Sequence, residues 1–539
     1  MHGARSRERR SGVNRREFIR LAGIGGLSLM AGEAIVGAEE KAKRPNVIYV
    51  LADQLGYGHC GYAGASEAHT PNIDRLATQG VSFRQAVSSM PVCSAYRASL
   101  FTGKYTTSTG MVINELRMNP HHECLAHVLT RAGYDTGYIG KWHLYANELG
   151  NHLEPRNSFV PRGPHRLGFD GHWAAYNFHH VYHDTYYHTE SPAKIPYPKG
   201  SYEPDAQTDM AIDFIGKRAA ADKPFFLVLS VGTPHDPWSV DNAPAEDLKR
   251  FEDARFPSPP NYSEDLDPYG DNWSKRKYDA GTIEREKRVY YAMTANLDRN
   301  VGRLMQAVEK AGIAEDTVFV FTSDHGDLFG AHGRRAKNIF YEEAARVPFL
   351  LRYPRKVRPG AVSDACLNTV DIMPTLLGLC GLGDRVPKAV EGMDLSHVAE
   401  GRPGPEPEAA LLMNTGACAS WEDGHEWRAL RDRRFTYAVY RGSDKLPRRE
   451  MLFDNTADPY QMKNLIDAPE HKPTADRFRE MLKDRMSDLN DTFPASTWYR
   501  GRWVDEDRSI VASARGEFGG KVSPLTAEEL PGSAANPNV

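Results

Sequence analysis

Two aspartates stand at the ends of separate apolar segments and are the first residues whose chemistry suggests a metal site. Asp53 ends NVIYVLAD, and Asp324 follows DTVFVFTS. Carboxylates that face each other repel unless a cation lies between them, and the neighbouring Gln54 and His325 add neutral polar groups. Such ligands favour a hard divalent ion, Ca²⁺ before Mg²⁺ or Mn²⁺. The alternative for each aspartate is a helix N-cap, and for His325 a hydrogen bond to a neighbouring ligand.

Five basic residues follow other predicted strands or lie near them: Arg97, Lys141, His143, His235 and Lys337. Taken one at a time, each is more typical of a solvated or core position than of a catalyst. Together with a metal ion they predict a strongly electropositive pocket. Such a pocket suits a tetrahedral oxyanion, namely sulfate, phosphate or a phosphonate.

A lone thiol, Cys93, precedes Arg97 by four residues in PVCSAYRASLFTGKY, at the start of a predicted helix. The neighbours of a catalytic thiol in a cysteine hydrolase are absent from this local pattern, so we interpret Cys93 as the precursor of the working group. The sequence contains no CxxC pair, and its six cysteines are too scattered for a disulfide scaffold, although one or two disulfides are compatible with them. The other five are Cys60, Cys124, Cys366, Cys380 and Cys418.

The elements that must position these residues alternate between apolar strands and helical patterns. Four segments predict buried parallel strands: NVIYVLADQ, YDTGYIGKWH, KPFFLVLSVGTPHDPW and DTVFVFTSDHGD. In open α/β sheets, ligands bind beyond the carboxyl ends of the strands. Because polar clusters end all four segments, the sequence predicts a single shared site on an α/β fold, a mostly parallel sheet between helices.

The 539 residues divide into predicted segments of different character. We predict a catalytic α/β domain over 44–384, a C-terminal α+β subdomain with a short antiparallel sheet over 385–500, and an extended tail over 501–539. The stretch 171–202 is rich in His, Tyr and Pro and is interpreted as a surface insertion. Its aromatic residues either stack on sugar rings or pack against the body of the protein.

The first 38 residues predict export. Arg15 and Arg16 precede a mildly apolar, glycine-rich run that ends at Val36-Gly37-Ala38, an order typical of a twin-arginine signal peptide. A basic tail is the alternative. We therefore expect a periplasmic or extracellular protein that uses the twin-arginine export machinery and has no stable membrane association. The net charge of -4 argues against a nucleic-acid partner.

From about Pro45 to Leu465 the chain resembles the type I sulfatases, the formylglycine enzymes of the alkaline phosphatase superfamily. The resemblance is carried in order by PNVIYVLADQLGYG, VCSAYRASLFTGKY, GYIGKWHL, TPHDPW, TSDHGDLFGAHG, KNIFYEEAARVPFLLR and FDNTADPYQMKNL. The family motif is Cys-x-Pro-x-Arg or Cys-x-Ala-x-Arg followed by Thr-Gly-Arg or Thr-Gly-Lys. Cys93, Arg97 and the stretch 102–104 match it.

The resemblance implies that a maturase oxidises Cys93 to formylglycine, whose aldehyde hydrates to a diol. One hydroxyl attacks sulfur, and loss of a proton from the other regenerates the aldehyde and expels sulfate. One divalent metal, Ca²⁺ first, would be held by Asp53, Gln54, Asp324, His325 and the modified Cys93.

Roles for the basic residues are implied in the same way. Arg97 would fix the diol, and Lys141 and Lys337 would neutralise charge on the sulfate oxygens. His235 would protonate the leaving oxygen, and His143 would accept the proton of the spare hydroxyl. Lys337 is chosen over Arg334 and Arg335 only by its spacing to YEEAARVPF.

Two positions depart from the commonest form of the family pattern. Ala95 replaces the usual proline of the modification motif, which favours an anaerobic maturase, and Gln54 replaces an aspartate often seen at the second metal position. The preferred reading is a sulfatase acting on a sulfated carbohydrate or an aryl sulfate. A phosphonate or phosphate ester hydrolase and a non-catalytic sulfated-glycan binding protein are the alternatives.

Overall fold

The computed structural model describes residues 44–145, 157–271, 274–275, 277–416, 422–500 and 503 of the chain. The predicted signal peptide (1–38), Cys418 and, except for Trp503, the predicted tail (501–539) lie outside the described residues. What the sequence predicts for them stays a prediction. The described cysteines, Cys60, Cys93, Cys124, Cys366 and Cys380, are all free and buried.

The described residues contain fourteen β-strands. In chain order they are β1 (Asn46–Asp53), β2 (Val81–Phe83), β3 (Asp135–Lys141), β4 (His172–Tyr176), β5 (Tyr186–Tyr187), β6 (Ile195–Pro196), β7 (Phe225–Pro234), β8 (Thr317–Ser323), β9 (Phe349–Arg352), β10 (Ala361–Ser363), β11 (Ala410–Asn414), β12 (Trp427–Arg431), β13 (Phe435–Tyr440) and β14 (Arg449–Asp454).

Twelve α-helices accompany these strands in the same described residues. They are α1 (Pro71–Gln79), α2 (Cys93–Thr102), α3 (Thr106–Thr109), α4 (Leu125–Arg131), α5 (Glu203–Ala219), α6 (Ala245–Arg250), α7 (Ala280–Lys310), α8 (Glu342–Ala345), α9 (Thr369–Leu379), α10 (Ser396–Ala399), α11 (Lys472–Asp488) and α12 (Ser496–Arg500). None of the helices in the described ranges combines the length and the apolar content needed to cross a membrane.

Eight strands form one large sheet in the order β10-β2-β9-β8-β1-β7-β3-β4. β9 runs antiparallel to both its neighbours, and every other neighbouring pair is parallel. The four strands predicted from apolar segments are β1, β3, β7 and β8, which lie side by side at the centre. The predicted mixed, mostly parallel sheet is therefore confirmed.

Helices cover both faces of the large sheet. Because β1 is buried on both faces, polar and apolar residues do not alternate in its sequence. Val47 and Leu51 point into one hydrophobic cluster, which includes residues of α2, α4 and α9. Ile48 and Val50 point into the opposite cluster, with residues of α1, α5 and α7. A strand buried on both faces is apolar throughout, and each fully buried aliphatic side chain contributes about 1.5–3 kcal/mol.

The C-terminal strands form a second, antiparallel sheet in the order β11-β12-β13-β14. Tyr437 and Val439 of β13 pack on the side that includes Phe478 of α11, and Ala438 and Tyr440 pack on the side that includes residues 339–341. In the sequence, EWRALRDRRFTYAVYR and EMLFDNTADPYQMKNL predict the short antiparallel strands that the structure shows as β12, β13 and β14, and TADRFREMLKDRMSDL predicts α11. The strand β11 is not predicted. The described residues from Arg44 onward form one compact unit, and the boundary between 384 and 385 stays a prediction.

The interpretation of 171–202 as a surface insertion is wrong at its beginning. His172–Tyr176 is β4, which pairs in parallel with β3 at the edge of the large sheet. An edge strand has a neighbour on one side only, so HWAAY need not carry the long apolar run that marks the central strands. The later part of the segment contains the small pair β5 and β6.

Candidate active site

The parallel strands bring the predicted site residues to one edge of the large sheet. Ala52 of β1 pairs with Ser323 of β8, so Asp53 and Asp324 follow at the same level of neighbouring strands. β3 ends at Lys141, and His235 directly follows β7. The four central strands therefore each deliver one ionisable side chain to the site.

Cys93 enters this edge as the first residue of α2. Its Sγ lies 3.2 Å from Nε2 of His325 and 3.6 Å from Oδ1 of Asp53, and the residue is 1% exposed. Arg97 lies one helical turn further along, so it shares a face of α2 with Cys93. The spacing of four residues between them therefore directs both side chains to the two aspartates.

The environment of Cys93 disfavours its thiolate. Burial, followed by the nearby charge of Asp53, raises the pKa of Cys93 to about 11. The thiolate is the nucleophilic form of cysteine, so an unmodified Cys93 is a weak nucleophile at neutral pH. This agrees with the interpretation of the thiol as a precursor.

Four of the five predicted metal ligands form a compact buried group. Ligand atoms of Asp53, Cys93, Asp324 and His325 all lie within 4.8 Å of one another. Oδ2 of Asp324 accepts no hydrogen bond from any described residue, although Arg97 lies 3.7 Å away. Two buried carboxylates with a spare oxygen suit a hard divalent ion, so the residues present fit the metal that the sequence predicts.

The pKa values of Asp53 and Asp324 are shifted in opposite directions. Burial opposes ionisation of Asp53, but Lys141 and Arg97 outweigh it and hold the pKa of Asp53 well below its ordinary value. Burial and then the charge of Asp53 raise the pKa of Asp324 to about 7. A divalent ion between them would remove this repulsion and favour both ionised forms.

The fifth predicted ligand, Gln54, lies beside this group in a strained conformation. Its φ of 70° is in the left-handed region that residues with a side chain seldom occupy. Its Nε2 donates to Oδ2 of Asp327 at 2.8 Å, and its Oε1 accepts from Nζ of Lys337 at 2.7 Å. The amide therefore links Asp327 to the predicted catalytic lysine, and metal ligation by Gln54 stays a prediction.

The cations surround Asp53. Lys141 Nζ lies 2.6 Å from Oδ2 of Asp53, and the Arg97 guanidinium lies 3.2 Å from the same oxygen. Arg97 also donates to the carbonyl of Lys141 at 2.8 Å and to Oγ of Ser230 at 2.6 Å. Arg97 and Lys141 are completely buried, and Lys337 is 5% exposed, so their charges act in a region with little water to screen them.

The two predicted proton-transfer histidines occupy different positions at the site. His235 lies at the surface of the charged cluster, with Nε2 2.6 Å from Nζ of Lys337 and 3.9 Å from Oδ1 of Asp53. Burial and the charges of Lys337 and Lys141 lower the pKa of His235 well below its ordinary value. His143 packs against the Phe178 ring at 4.2 Å between centroids, and the Lys141 ammonium lies 4.8 Å from the same ring.

Several residues that contact the site were not predicted. Asp327 bonds to Gln54, Ser230 bonds to Arg97, and Oδ1 of Asp236 lies 3.1 Å from Nδ1 of His235. Asp327 stands three residues after Asp324, and Ser230 is a polar residue inside the apolar run of β7, which are the signals available in the sequence. Phe178 contacts the site from the segment predicted as an insertion.

Comparisons with known proteins agree with this geometry. Residues 45–382 match the sulfatase family model, and residues 330–490 match the model described as N-sulphoglucosamine sulphohydrolase, C-terminal. An ulvan-active sulfatase of Formosa agariphila is 34% identical over 86% of this chain and 85% of its own length. An endo-4-O-sulfatase of Bacteroides thetaiotaomicron is 28% identical over 88% of this chain and 98% of its own length.

A solved Bacteroides thetaiotaomicron structure, labelled 4S-sulf and reported with glycosaminoglycan metabolism, superimposes with a TM-score of 0.72 at 26% identity. The match covers 84% of this chain and 97% of the solved one. With a family model over most of the chain and a relative of this identity and coverage, the chain belongs to the sulfatase family of the alkaline phosphatase superfamily and is a sulfuric ester hydrolase.

Proposed function

We propose that this protein hydrolyses a sulfate ester of a sulfated carbohydrate, using a formylglycine made from Cys93 and one divalent metal ion, Ca²⁺ first. The observation that carries the proposal is the position of Cys93 Sγ, 3.6 Å from Asp53 and 3.2 Å from His325, at the centre of a buried cationic pocket. The substrate class is supported by the relative named an ulvan-active sulfatase and by the solved structure reported with glycosaminoglycan metabolism.

The ordinary side chains do not provide all of this chemistry, so the proposal needs the divalent ion and the formylglycine. When present, the divalent ion supplies Lewis-acid charge at a sulfate oxygen, and the hydrated aldehyde of formylglycine supplies an oxygen nucleophile. Asp53, Asp324, Gln54 and His325 would hold the ion. Because Asp53 and Asp324 together carry two negative charges, they balance a divalent ion and leave the surrounding cations to act on the substrate.

The basic residues bind and orient the anionic substrate. Arg97 is fixed by Asp53, Ser230 and the carbonyl of Lys141, so its guanidinium is held rigidly beside position 93 and would anchor the nucleophile. Lys141 contacts Asp53 and Lys337 contacts Gln54, and both would stabilise negative charge on the sulfate oxygens. Preorganised charges of this kind act most strongly where water is excluded.

His235 and Lys337 are placed to hold the proton that the leaving oxygen needs. The Lys337 ammonium has no acceptor atom, so at 2.6 Å it donates to Nε2 of His235. The pair therefore carries one shared proton at the least buried part of the charged cluster, where His235 is 6% exposed. Delivery of that proton to the departing alkoxide would make a sugar alcohol an adequate leaving group.

A panel of sulfated mono- and oligosaccharides, scored for released sulfate with and without a chelator, tests this proposal. We expect release from at least one sugar, loss of turnover with chelator, and recovery with Ca²⁺. Mass spectrometry of the Cys93 peptide should find the aldehyde in active material, and Cys93→Ala should abolish turnover without lowering Tm. Turnover by protein with an intact thiol would overturn the mechanism.

The same panel should include phosphate and phosphonate monoesters of matched leaving groups. The sulfatase proposal expects the higher kcat/KM for the sulfate ester in each matched pair. A consistent preference for the phosphonate or phosphate would replace the proposed reaction with that of an ester hydrolase acting on phosphorus.

We also propose that residues 1–38 direct export through the twin-arginine route and that the enzyme acts outside the cytoplasm. The support is the order of Arg15, Arg16, the apolar run and the small residues at 36–38. Cell fractionation of the full chain and of a variant with both arginines changed to lysine tests this. Export of the variant at the level of the unchanged chain would contradict the proposal.

A further inference from the structure

The imidazole of His180 stacks face to face on the imidazole of His235. Their centroids lie 3.9 Å apart and their planes differ by 6°. His180 comes from the loop that follows β4, whereas His235 follows β7. His180 is neither a predicted metal ligand nor one of the predicted basic residues, so neither role explains the stack.

The His180 ring is held in place by its neighbours. The Tyr182 hydroxyl lies 3.4 Å from Nδ1 of His180 and donates to the carbonyl of Gly232 at 2.7 Å. Asn242 Nδ2 donates to the His180 carbonyl at 3.3 Å. The loop is thus tied to β7 and to the segment after it, so the stacked ring is part of a fixed surface.

The stack restrains a motion of His235 that its hydrogen bonds leave free. Nδ1 of His235 lies 2.8 Å from the carbonyl of Asp236, and Nε2 lies 2.6 Å from Nζ of Lys337. Hydrogen bonds to ring nitrogens lie near the ring plane, so they resist rotation within that plane. A flat ring packed on one face resists tilting out of the plane.

The same row of rings extends toward the other histidine. Phe178 meets His180 edge to face at 4.6 Å between centroids, and it also packs against His143 at 4.2 Å. His143, Phe178, His180 and His235 therefore form a continuous series of ring contacts. The series connects His180 directly to His235 and, through Phe178, to the side of the pocket that holds Lys141.

We propose that His180 is a positioning residue for His235, whose imidazole it packs against so that Nε2 stays aligned with Lys337 Nζ and the leaving oxygen. The inference rests on the proposed function, in which the His235–Lys337 pair supplies the proton. The proposal predicts that position 180 requires a flat ring and that this ring does not need to titrate.

The test compares His180→Ala, which removes the ring, with His180→Phe, which keeps a flat face. Substrates are aryl sulfates with good and poor leaving groups. For His180→Ala we expect kcat to fall about 10-fold or more, because misplacing a proton donor by about 1 Å has effects up to about 100-fold, with KM changed by less than about 3-fold. The loss should be larger for the poor leaving group.

His180→Phe should recover kcat to within about 3-fold of the unchanged enzyme. His183→Phe is the matched control, because His183 lies in the same loop but packs on Tyr202; it should leave kcat unchanged. If His180→Ala lowers Tm, His180→Leu fills the space without a flat ring and takes its place. Unchanged kcat in the ringless variant, or no recovery with Phe, overturns the proposal.

Crystal structures of the variants separate this proposal from the proposed function. The His235 ring should tilt in His180→Ala and keep its orientation in His180→Phe, whether or not any sulfate ester is hydrolysed. An identical His235 orientation in all variants would overturn the positioning role. Absence of sulfate release by the unchanged enzyme would overturn the proposed function alone.

Discussion

Nζ of Lys337 lies 2.6 Å from Nε2 of His235, and the two residues are 102 positions apart in the chain. Burial opposes the charged form of Lys337, yet the nearby carboxylates of Asp53, Asp236 and Asp324 raise its pKa above the ordinary value. The lysine is therefore the charged partner and the histidine the neutral one. This contact joins Lys337, which the sequence identifies only by its spacing, to the predicted proton donor His235.

Replacing Lys337 with Met should lower kcat by about 100-fold or more, because one preorganised charge next to the reacting group is worth about that much. Arg335→Met is the matched control, since Arg335 is a neighbouring basic residue whose described ion pair is a 4.0 Å contact with Asp236. Steady-state kinetics on one sulfate ester measure both variants. A larger loss in Arg335→Met would show that the wrong basic residue had been assigned.

Adding Ca²⁺ to chelator-treated protein should raise Tm. At a free concentration of 100 times Kd the expected stabilisation is about 2.7 kcal/mol. Asp324→Asn should abolish the Tm shift because it removes a ligand, whereas Glu343→Gln, at a buried carboxylate outside the metal group, should keep it. Differential scanning calorimetry measures the shifts. A full Ca²⁺ response in Asp324→Asn would contradict the predicted ligand set.

Without the metal, Asp324 should make the protein less stable as the pH rises. Its pKa is about 7 in the folded protein and near 3.8 when unfolded, so the folded state binds more protons between these values and loses stability as pH increases through them. Asparagine does not titrate, so chelator-treated Asp324→Asn does not lose stability in this way. At pH 8 its Tm should be higher than that of the chelator-treated parent. Melting curves at pH 5 and pH 8 test the sign.

The C-terminal sheet is joined to the catalytic part by a buried ion pair between Arg431 of β12 and Glu342 of α8. The two atoms Nε and Oε1 lie 2.5 Å apart, and the Arg431 side chain is 2% exposed. Glu342→Gln should lower the free energy of unfolding by about 3–5 kcal/mol, because it leaves a buried charge without its partner.

Arg434→Gln provides the exposed comparison for this pair. Arg434 bonds Asp454 at 2.6 Å but its side chain is 58% exposed, so its loss should change the free energy of unfolding far less than Glu342→Gln does. Urea denaturation measures both variants. Equal effects at the two pairs would mean that burial does not set the strength of the Arg431–Glu342 contact.

Glu203 should give the protein a pH-dependent stability away from the metal group. It is completely buried at the start of α5, and burial raises its pKa to about 8, although the Tyr176 hydroxyl donates to it at 2.8 Å. The folded state therefore holds a proton that the unfolded chain releases near pH 4.5, and stability falls as the pH rises toward 8.

Glu203→Gln should flatten this dependence by up to about 1.4 kcal/mol per pH unit. The free energy of unfolding, measured by urea denaturation at intervals from pH 5 to pH 8, checks the slope. Glu190→Gln, at a side chain 54% exposed, should retain the slope of the parent. A steeper dependence in Glu203→Gln would mean that the sign is wrong.

The central part of the fold could be predicted because its strands are buried on both faces. The resulting apolar runs in β1, β3, β7 and β8 are visible in the sequence, and their polar ends must converge in a parallel sheet. The edge strand β4 and the first strand of the small sheet, β11, carry weaker patterns. Each is an edge strand with one neighbouring strand, so a short segment is enough to form it and no long apolar run marks it in the sequence.

For the site residues, contacts between residues close in the chain could be predicted from the sequence, and contacts between distant residues could not. Arg97 follows Cys93 by one helical turn, so their shared direction can be worked out from spacing alone. The sequence could not separate Arg334, Arg335 and Lys337, whereas the structure places Arg334 on Asp267 at 2.9 Å and Lys337 on His235. The stack of His180 on His235 joins two loops, and neither loop has a pattern that indicates the other.

The contact between Lys337 and Gln54 joins residues 283 positions apart, and Asp53, Arg97, Lys141 and Asp324 lie on or directly after four different elements, β1, α2, β3 and β8. No fragment of the chain therefore holds a partial catalyst, and contacts of such long range form late in folding. Recovery of turnover after dilution from denaturant should accordingly lag behind recovery of helical circular dichroism, which makes enzyme activity a direct reporter of the last stage of refolding.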